Sequence, residues 1–81
     1  MKNESSGEIL NKIIKAYNRL RLINPNDPFL RIVRIVESEG EPPALDITKD
    51  FIYNFGDPIL DKDAYKKYLN ALKKRLNSLG L

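Results

Sequence analysis

The last third of the chain, from Asp61 to Leu81, carries a single apolar stripe at helical spacing, and this stripe constrains the fold more than any other segment. Apolar residues that recur at alternating steps of four and three residues lie on one face of a helix. The stripe therefore predicts a long amphipathic helix that packs against the rest of the protein. Its apolar residues are Tyr65, Leu69, Leu72, Leu76 and Leu79. The lysines on the other side are Lys62, Lys66, Lys67, Lys73 and Lys74.

A second long helix is predicted near the start of the chain, from Ser6 to Leu22. Its apolar residues fall on one wide face, and its charged residues line the opposite side. The apolar face consists of Ile9, Leu10, Ile13, Ile14, Ala16, Tyr17 and Leu20. The charged side consists of Glu8, Lys12, Lys15 and Arg19.

Between these helices, the segment after Asp27 fits two kinds of structure. Asp27 can cap a helix, and Pro28 suits the first helical position because its missing N–H would be unpaired there anyway. The β-branched residues that follow also suit a strand. Their apolar pairs repeat every three residues rather than every two, which favours a helix that ends at Gly40. A shorter helix is then predicted from Asp46 to Phe55, with Gly56 as its stop. The residues on its apolar line are Ala44, Ile47, Phe51 and Phe55.

These segments together predict an all-α fold. We expect one helical domain over residues 1–81, with residues 1–5 disordered. The domain should be a small bundle of three to four helices, in which the first and last helices are the longest and pack together. A chain of 81 residues has room for one modest core.

The composition excludes several kinds of reaction centre. The chain has no cysteine and no histidine, so thiolate–metal sites, disulfides and the commonest general base are all absent. Its glycines are isolated and form no phosphate-binding loop. We therefore expect no enzyme activity, no cofactor, no metal and no small-molecule substrate. Without a signal peptide or an apolar run of about 20 residues, a cytoplasmic protein that does not contact a membrane is expected.

Charge is distributed unevenly along the chain. Residues 37–57 contain six acidic residues and one lysine, which gives this segment a net charge of −5. Because the whole chain has a net charge of +3, the remaining residues carry +8. Basic residues on the last helix could neutralise phosphates of a nucleic acid, although lysines on a solvated helix face are also ordinary. The candidates for nucleic-acid contact are Lys66, Lys67, Lys73, Lys74 and Arg75.

Four apolar or aromatic residues are candidates for docking on a partner protein. Tyr53 falls on the polar side of the third segment, and Tyr68 borders the stripe of the last helix. Ile35 and Leu30 widen the apolar surface of the second segment, so part of it could lie under a partner. Tyrosine and buried apolar anchors contribute strongly to protein interfaces.

The sequence therefore favours a non-catalytic accessory or adaptor subunit that docks on a larger nucleic-acid-processing enzyme and touches DNA weakly and nonspecifically. One alternative is a small helix-turn-helix regulator, built from the second and third or the third and fourth segments. Another is a helical oligomerisation protein that uses the Tyr65–Leu79 stripe, which spans only about two heptads.

In size, helical character and basic composition, the whole chain resembles the small accessory subunits of archaeal DNA polymerase holoenzymes. The resemblance is one of overall character, without a shared motif. It implies modulation of polymerase synthesis or stability rather than catalysis.

Overall fold

The computed structural model describes residues 6–41 and 43–80, which form three α-helices and a two-stranded sheet. In chain order the elements are α1 (Ser6–Ile23), a 3-10 helix (Pro28–Arg31), β1 (Val33–Val36), β2 (Ala44–Ile47), α2 (Lys49–Phe55) and α3 (Ala64–Ser78). The fold is therefore mixed α/β, and the prediction of an all-α bundle was wrong.

The two long helices, α1 and α3, pack against each other and supply most of the core. Periodicity predicted both helices to within a few residues, because each helix is more than four turns long and repeats its apolar residues on one face. From α1, Ile13 and Leu20 are fully buried, and from α3, Tyr68 and Leu72 are fully buried. Of the predicted apolar stripe of the last helix, Leu69, Leu72 and Leu76 are buried, Tyr65 is partly buried and Leu79 is 38% exposed.

The second segment is a short 3-10 turn followed by a strand, where the sequence predicted one helix. β1 pairs antiparallel with β2, so that Val33 lies opposite Ile47 and Val36 lies opposite Ala44. The β-branched side chains fit this extended backbone, and Val33 points into the core while Arg34 points to solvent. Burial of Val33 against the helices, with pairing to a strand eleven residues away, outweighs the local helical spacing.

The third predicted helix begins later than its periodicity indicated. Ala44–Ile47 forms β2, and α2 starts only at Lys49 after the N-cap residue Thr48. The Thr48 hydroxyl and its backbone N–H both donate to the carbonyl of Ile32, at 3.1 and 3.0 Å. These bonds hold Thr48 at the junction between β2 and α2. The apolar residues predicted to lie on one helix, in residues 44–55, are therefore divided between a strand and a helix.

An aromatic cluster holds α2 against α3. Phe51, which has no exposed surface, lies 5.3 Å from the ring of Phe55, 5.8 Å from Tyr65 and 5.3 Å from Tyr68, measured between ring centroids. Gly56 then ends α2 with a φ of +100°, and its N–H donates to the carbonyl of Ile52. The predicted stop signal at Gly56 is confirmed, since glycine adopts positive φ without a Cβ clash.

Two further expectations concern the ends of the chain and the membrane. The predicted disorder of residues 1–5 lies outside the described residues. Within the described ranges, none of the helices has the length and apolar character that crossing a bilayer requires.

Candidate nucleic-acid interface

The α1–α3 groove is an open concavity of about 570 Å³ between the two long helices. Four of the six described residues that line it are cationic, and none of those six is acidic. The floor is apolar. The lining residues are Lys12, Lys15, Ala16, Arg19, Lys73 and Leu76.

Helical spacing places the cations of α1 along one wall of the groove. Lys12, Lys15 and Arg19 are separated by three and four residues, so they lie in a row about 10.5 Å long. Ala16 sits between them and is nearly buried. Its side chain and that of Leu76 form the apolar part of the lining.

On the other wall, α3 contributes Lys73 and extends the basic row along its own axis. Lys66 lies seven residues before Lys73, which is two helical turns, so the two lysines share nearly the same side of α3. Asn70 and Asn77 lie between and beyond them on the same side, and all four side chains are exposed. Amide groups can donate to phosphate oxygens alongside the ammonium groups.

Three of the four cations of the groove, Lys15, Arg19 and Lys73, are available to a ligand. Within residues 6–41 and 43–80, no carboxylate pairs with Lys15, Arg19 or Lys73. Glu8 shares this side of α1, one turn before Lys12, and so it lies toward the N-terminal end of the row. An anion in the middle of the groove would therefore meet mainly positive charge.

The predicted contact residues of α3 separate into two groups. Lys73 lines the groove and Lys66 shares its side of α3, whereas Lys67 and Lys74 lie about 100° further around the helix. Lys67 is already paired, because its Nζ donates to Asp61 Oδ2 at 2.9 Å. This bond raises the pKa of Lys67 and lowers the pKa of Asp61, whose carboxylate also accepts from the Asp63 N–H.

Arg75 has a structural partner, which accounts for its position without a nucleic acid. Its Nε donates to Asp27 Oδ2 at 2.7 Å, and the Asp27 carboxylate is 1% exposed. Asp27 also accepts from the Phe29 N–H at 3.0 Å and from the Asn24 amide at 3.2 Å. Burial alone would raise the pKa of Asp27, but these three hydrogen bonds and the charge of Arg75 lower it below 3.8.

Two of the predicted docking residues lie in the core. Tyr68 is completely buried, and its hydroxyl donates to the carbonyl of Phe29 at 3.0 Å. Desolvation by this burial strongly raises the pKa of Tyr68. Leu30 is buried as well, and its carbonyl accepts from the Tyr17 hydroxyl at 3.1 Å. Neither side chain can reach a partner protein while this fold is intact.

The other two predicted docking residues reach the surface to different degrees. Tyr53 is 90% exposed on α2, whereas Ile35 is only partly exposed because it packs on the core from the inner face of β1. Sequence reasoning missed a second exposed apolar site, the turn between α2 and α3, where Ile59 and Leu60 are 89% and 85% exposed. One signal of this site is present in the sequence: if the last helix were extended back to Ile59 and Leu60, both apolar residues would fall on its polar side.

This turn is held rigidly by Asp57. The Asp57 carboxylate accepts from the Ile59 N–H at 3.0 Å, and its carbonyl accepts from the N–H groups of Leu60 and Asp61 at 2.9 and 2.7 Å. The bonds fix the backbone while the two apolar side chains point outward. We call Tyr53, Ile59 and Leu60 the apolar surface residues.

Two other features could mark a ligand site, a cluster of metal ligands or a second concavity. No group of three or more carboxylates in residues 6–41 and 43–80 is placed to hold a metal ion. A second concavity of about 400 Å³ lies between the 3-10 helix, α2 and α3, and it is mostly apolar, with Asp50 as its one ionisable lining residue among those described. The α1–α3 groove is therefore the best candidate for a ligand site, and its chemistry is that of anion binding.

Comparison with known proteins gives no match for this chain among family models, curated proteins or solved structures. The resemblance to accessory subunits of archaeal DNA polymerases therefore stays a prediction. The functional proposal rests on the geometry and charge described above.

Proposed function

We propose that the protein is a non-catalytic accessory subunit of a nucleic-acid-processing assembly. The α1–α3 groove binds the phosphate backbone, and the apolar surface residues Tyr53, Ile59 and Leu60 dock on a larger protein. One observation carries the proposal: four cations line a single groove that has no acidic residue among its described lining.

Phosphate binding in this groove is driven by the release of counterions from the nucleic acid. Each phosphate neutralised by lysine or arginine releases part of the condensed cation atmosphere, so affinity falls steeply with salt. Contacts to phosphate carry no sequence information. With Lys15, Arg19 and Lys73 as phosphate ligands, we expect weak binding that does not discriminate between sequences.

Docking on a larger protein is supported by the exposure of the apolar surface residues. Large apolar side chains that stay more than four-fifths exposed lose contact with water only when a partner covers them. Tyrosine is enriched among residues that dominate binding energy. The Asp57 turn holds Ile59 and Leu60 in place before binding, which reduces the entropy lost on association.

The groove is tested by reversing charge inside and outside it. The double variant Lys15→Glu with Lys73→Glu should lose most binding to a labelled mixed-sequence DNA, measured by fluorescence anisotropy at low salt. The matched control, Lys49→Glu with Lys74→Glu, makes the same change in net charge at exposed positions outside the groove lining. Lys74 is next to Lys73 but lies about 100° around the helix. Equal losses in both variants would mean that overall charge, and not the groove, binds DNA.

The docking surface is tested by affinity purification from the native host followed by mass spectrometry. We expect a subunit of a nucleic-acid-processing enzyme to co-purify, and to be lost when Ile59 and Leu60 are both changed to aspartate. The matched control, Leu22→Asp with Ile23→Asp, makes the same change in charge at two adjacent residues near the end of α1, which are 85% and 41% exposed, and should retain the partner. Retention by the Ile59 and Leu60 variant would refute this part of the proposal.

The two alternative functions have less to support them. A helix-turn-helix requires two helices joined by a turn of about three or four residues, whereas α2 and α3 are separated by residues 56–63 and the predicted second helix is not formed. An oligomer through the last helix requires a free apolar seam, but Leu69, Leu72 and Leu76 are buried. Selective binding of one duplex, or a concentration-dependent oligomer, would revive the corresponding alternative.

A further inference from the structure

We infer that the α1–α3 groove selects double-stranded over single-stranded nucleic acid. The inference rests on the proposed function, because it specifies which form of phosphate backbone the groove holds. Three observations support it: the lack of an aromatic side chain among the described lining residues, the two helical rows of cations, and the positions of the seven aromatic residues elsewhere in the fold.

Proteins that bind single strands usually stack the exposed bases on aromatic side chains, which contribute about 1–3 kcal/mol per base. The groove offers no such platform, since its floor consists of Ala16 and Leu76. Six of the seven aromatics are buried or partly buried in or against the core. Tyr53 is the exception, and it lies on α2, outside the described lining of the groove. A single strand in the groove would therefore gain charge contacts without stacking.

The rows of cations have a fixed spacing that suits a rigid array of phosphates. Lys12 to Arg19 on α1, and Lys66 to Lys73 on α3, each span seven residues, or about 10.5 Å along a helix. That length corresponds to about three base-pair steps of 3.4 Å along the axis of a duplex. A duplex presents its phosphates already ordered, whereas a single strand loses conformational freedom when it is aligned with the helices.

Charge density favours the duplex as well. The duplex carries one charge per about 1.7 Å of its axis, and the salt dependence per neutralised phosphate is steeper for duplex than for single strands, about 0.9 against 0.7. If Lys15, Arg19 and Lys73 each neutralise one phosphate, raising salt from about 50 to 200 mM lowers duplex affinity about 40-fold and single-strand affinity about 20-fold.

The test compares a 20-base-pair mixed-sequence DNA duplex with a 20-nucleotide oligothymidylate, both labelled, by fluorescence anisotropy with the full chain. We expect the duplex to bind at least about fivefold more tightly at 50 mM salt. Lys15→Glu with Lys73→Glu should abolish this preference, and Lys49→Glu with Lys74→Glu should keep it. The double variant Lys15→Gln with Lys73→Gln removes the two positive charges without adding negative ones, and it should also lose the preference for the duplex. Thermal unfolding checks that every variant is folded.

The outcomes separate this inference from the proposed function. Equal or tighter binding of the single strand, lost in the groove variant, would overturn the duplex preference and leave the groove as a phosphate site. Single-strand binding that is lost in Tyr53→Ser would place stacking outside the groove and also overturn the preference. Absence of binding to either DNA, or binding that ignores the groove variants, would overturn both.

Discussion

Asp27→Ala, which removes the ion pair with Arg75 and two further hydrogen bonds, is expected to destabilise the fold by more than half of its folding free energy. The pair joins the turn after α1 to the last two turns of α3, residues that are 48 positions apart in the chain. Asp27 is 1% exposed, while the side chain of Arg75 is 41% exposed, so the carboxylate is the buried partner. Asp27→Ala should therefore destabilise the protein more than Arg75→Ala does.

Asp27→Ala removes three hydrogen bonds at once, from the Phe29 N–H, the Asn24 amide and the Arg75 guanidinium. Loss of the cap costs about 1 kcal/mol, and loss of a charged hydrogen bond about 1.5–3 kcal/mol. Because Arg75 can be rehydrated, we expect a total of about 3 kcal/mol. For a domain of this size the free energy of unfolding is about 5 kcal/mol, and the melting temperature should fall by about 12–24 °C.

Arg75→Ala leaves the buried carboxylate with two neutral donors. Breaking a fully buried ion pair costs about 3–5 kcal/mol, and the partial exposure of Arg75 reduces our expectation to about 2 kcal/mol. A double-mutant cycle measured by urea unfolding should give a coupling energy of about 1.5 kcal/mol between the two residues. A coupling below about 0.3 kcal/mol would refute the reasoning, because the two side chains would then contribute independently.

The same pair gives stability a defined dependence on pH. The pKa of Asp27 is lower in the folded protein than its ordinary value, so the carboxylate stabilises the fold fully above about pH 4. This contribution begins to fall when the pH drops below about 4, the ordinary pKa of the group in the unfolded chain. It is lost once the pH has dropped through the lower pKa of the folded protein, where the carboxylate becomes protonated. Asp27→Asn should therefore be less stable than the parent at pH 6, and its stability should approach that of the parent near pH 2. An unchanged difference at both pH values would contradict this assignment.

Four further substitutions test the turns and the aromatic core. Gly56→Ala should destabilise the protein by about 1–2 kcal/mol in urea unfolding, because φ is +100° and a Cβ would lie 3.0 Å from the Asp61 carboxylate. Gly40→Ala, with φ of +79° and no atom within 4 Å of the new Cβ, should cost less. Tyr68→Phe should cost about 1 kcal/mol in the same assay, since it removes one buried hydrogen bond to the 3-10 helix. Phe51→Ala should cost about 3–5 kcal/mol and leave much of the chain unfolded by circular dichroism at 37 °C, because its ring is completely buried.

The long helices were predictable because their information is local. Each helix is more than four turns long and repeats its apolar residues on one face, and this signal needs no knowledge of the rest of the chain. Asp27 and Gly56 were also predictable, since capping and positive φ depend on one residue and its neighbours.

The sheet was not predictable from the same kind of signal. Each strand has only four residues, too few for alternation to outweigh a spacing of three. The pairing of Val33 with Ile47 is set by contacts with the helices and by the two bonds from Thr48 to Ile32. These contacts become visible only when the chain is folded.

Only the α3 part of the candidate site was predicted, because periodicity again gives local information. Lys66 and Lys73 followed from the polar side of α3, but Lys12, Lys15 and Arg19 were seen only as the charged side of α1. Periodicity assigns residues to faces of one helix, whereas a groove depends on how two helices approach each other. Ala16 of α1 and Leu76 of α3 meet in this groove, and the periodicity of either helix alone does not show that they do.

The most direct test of the central claim is an NMR titration of the ¹⁵N-labelled protein with a mixed-sequence DNA duplex. We predict that the largest shifts and line broadening fall on residues 12–19 of α1 and 66–77 of α3, and that they disappear as salt is raised from about 50 to 200 mM. Perturbations centred on the β-hairpin or α2, or a spectrum that does not change with DNA, would contradict the assignment of the α1–α3 groove as a phosphate-binding site.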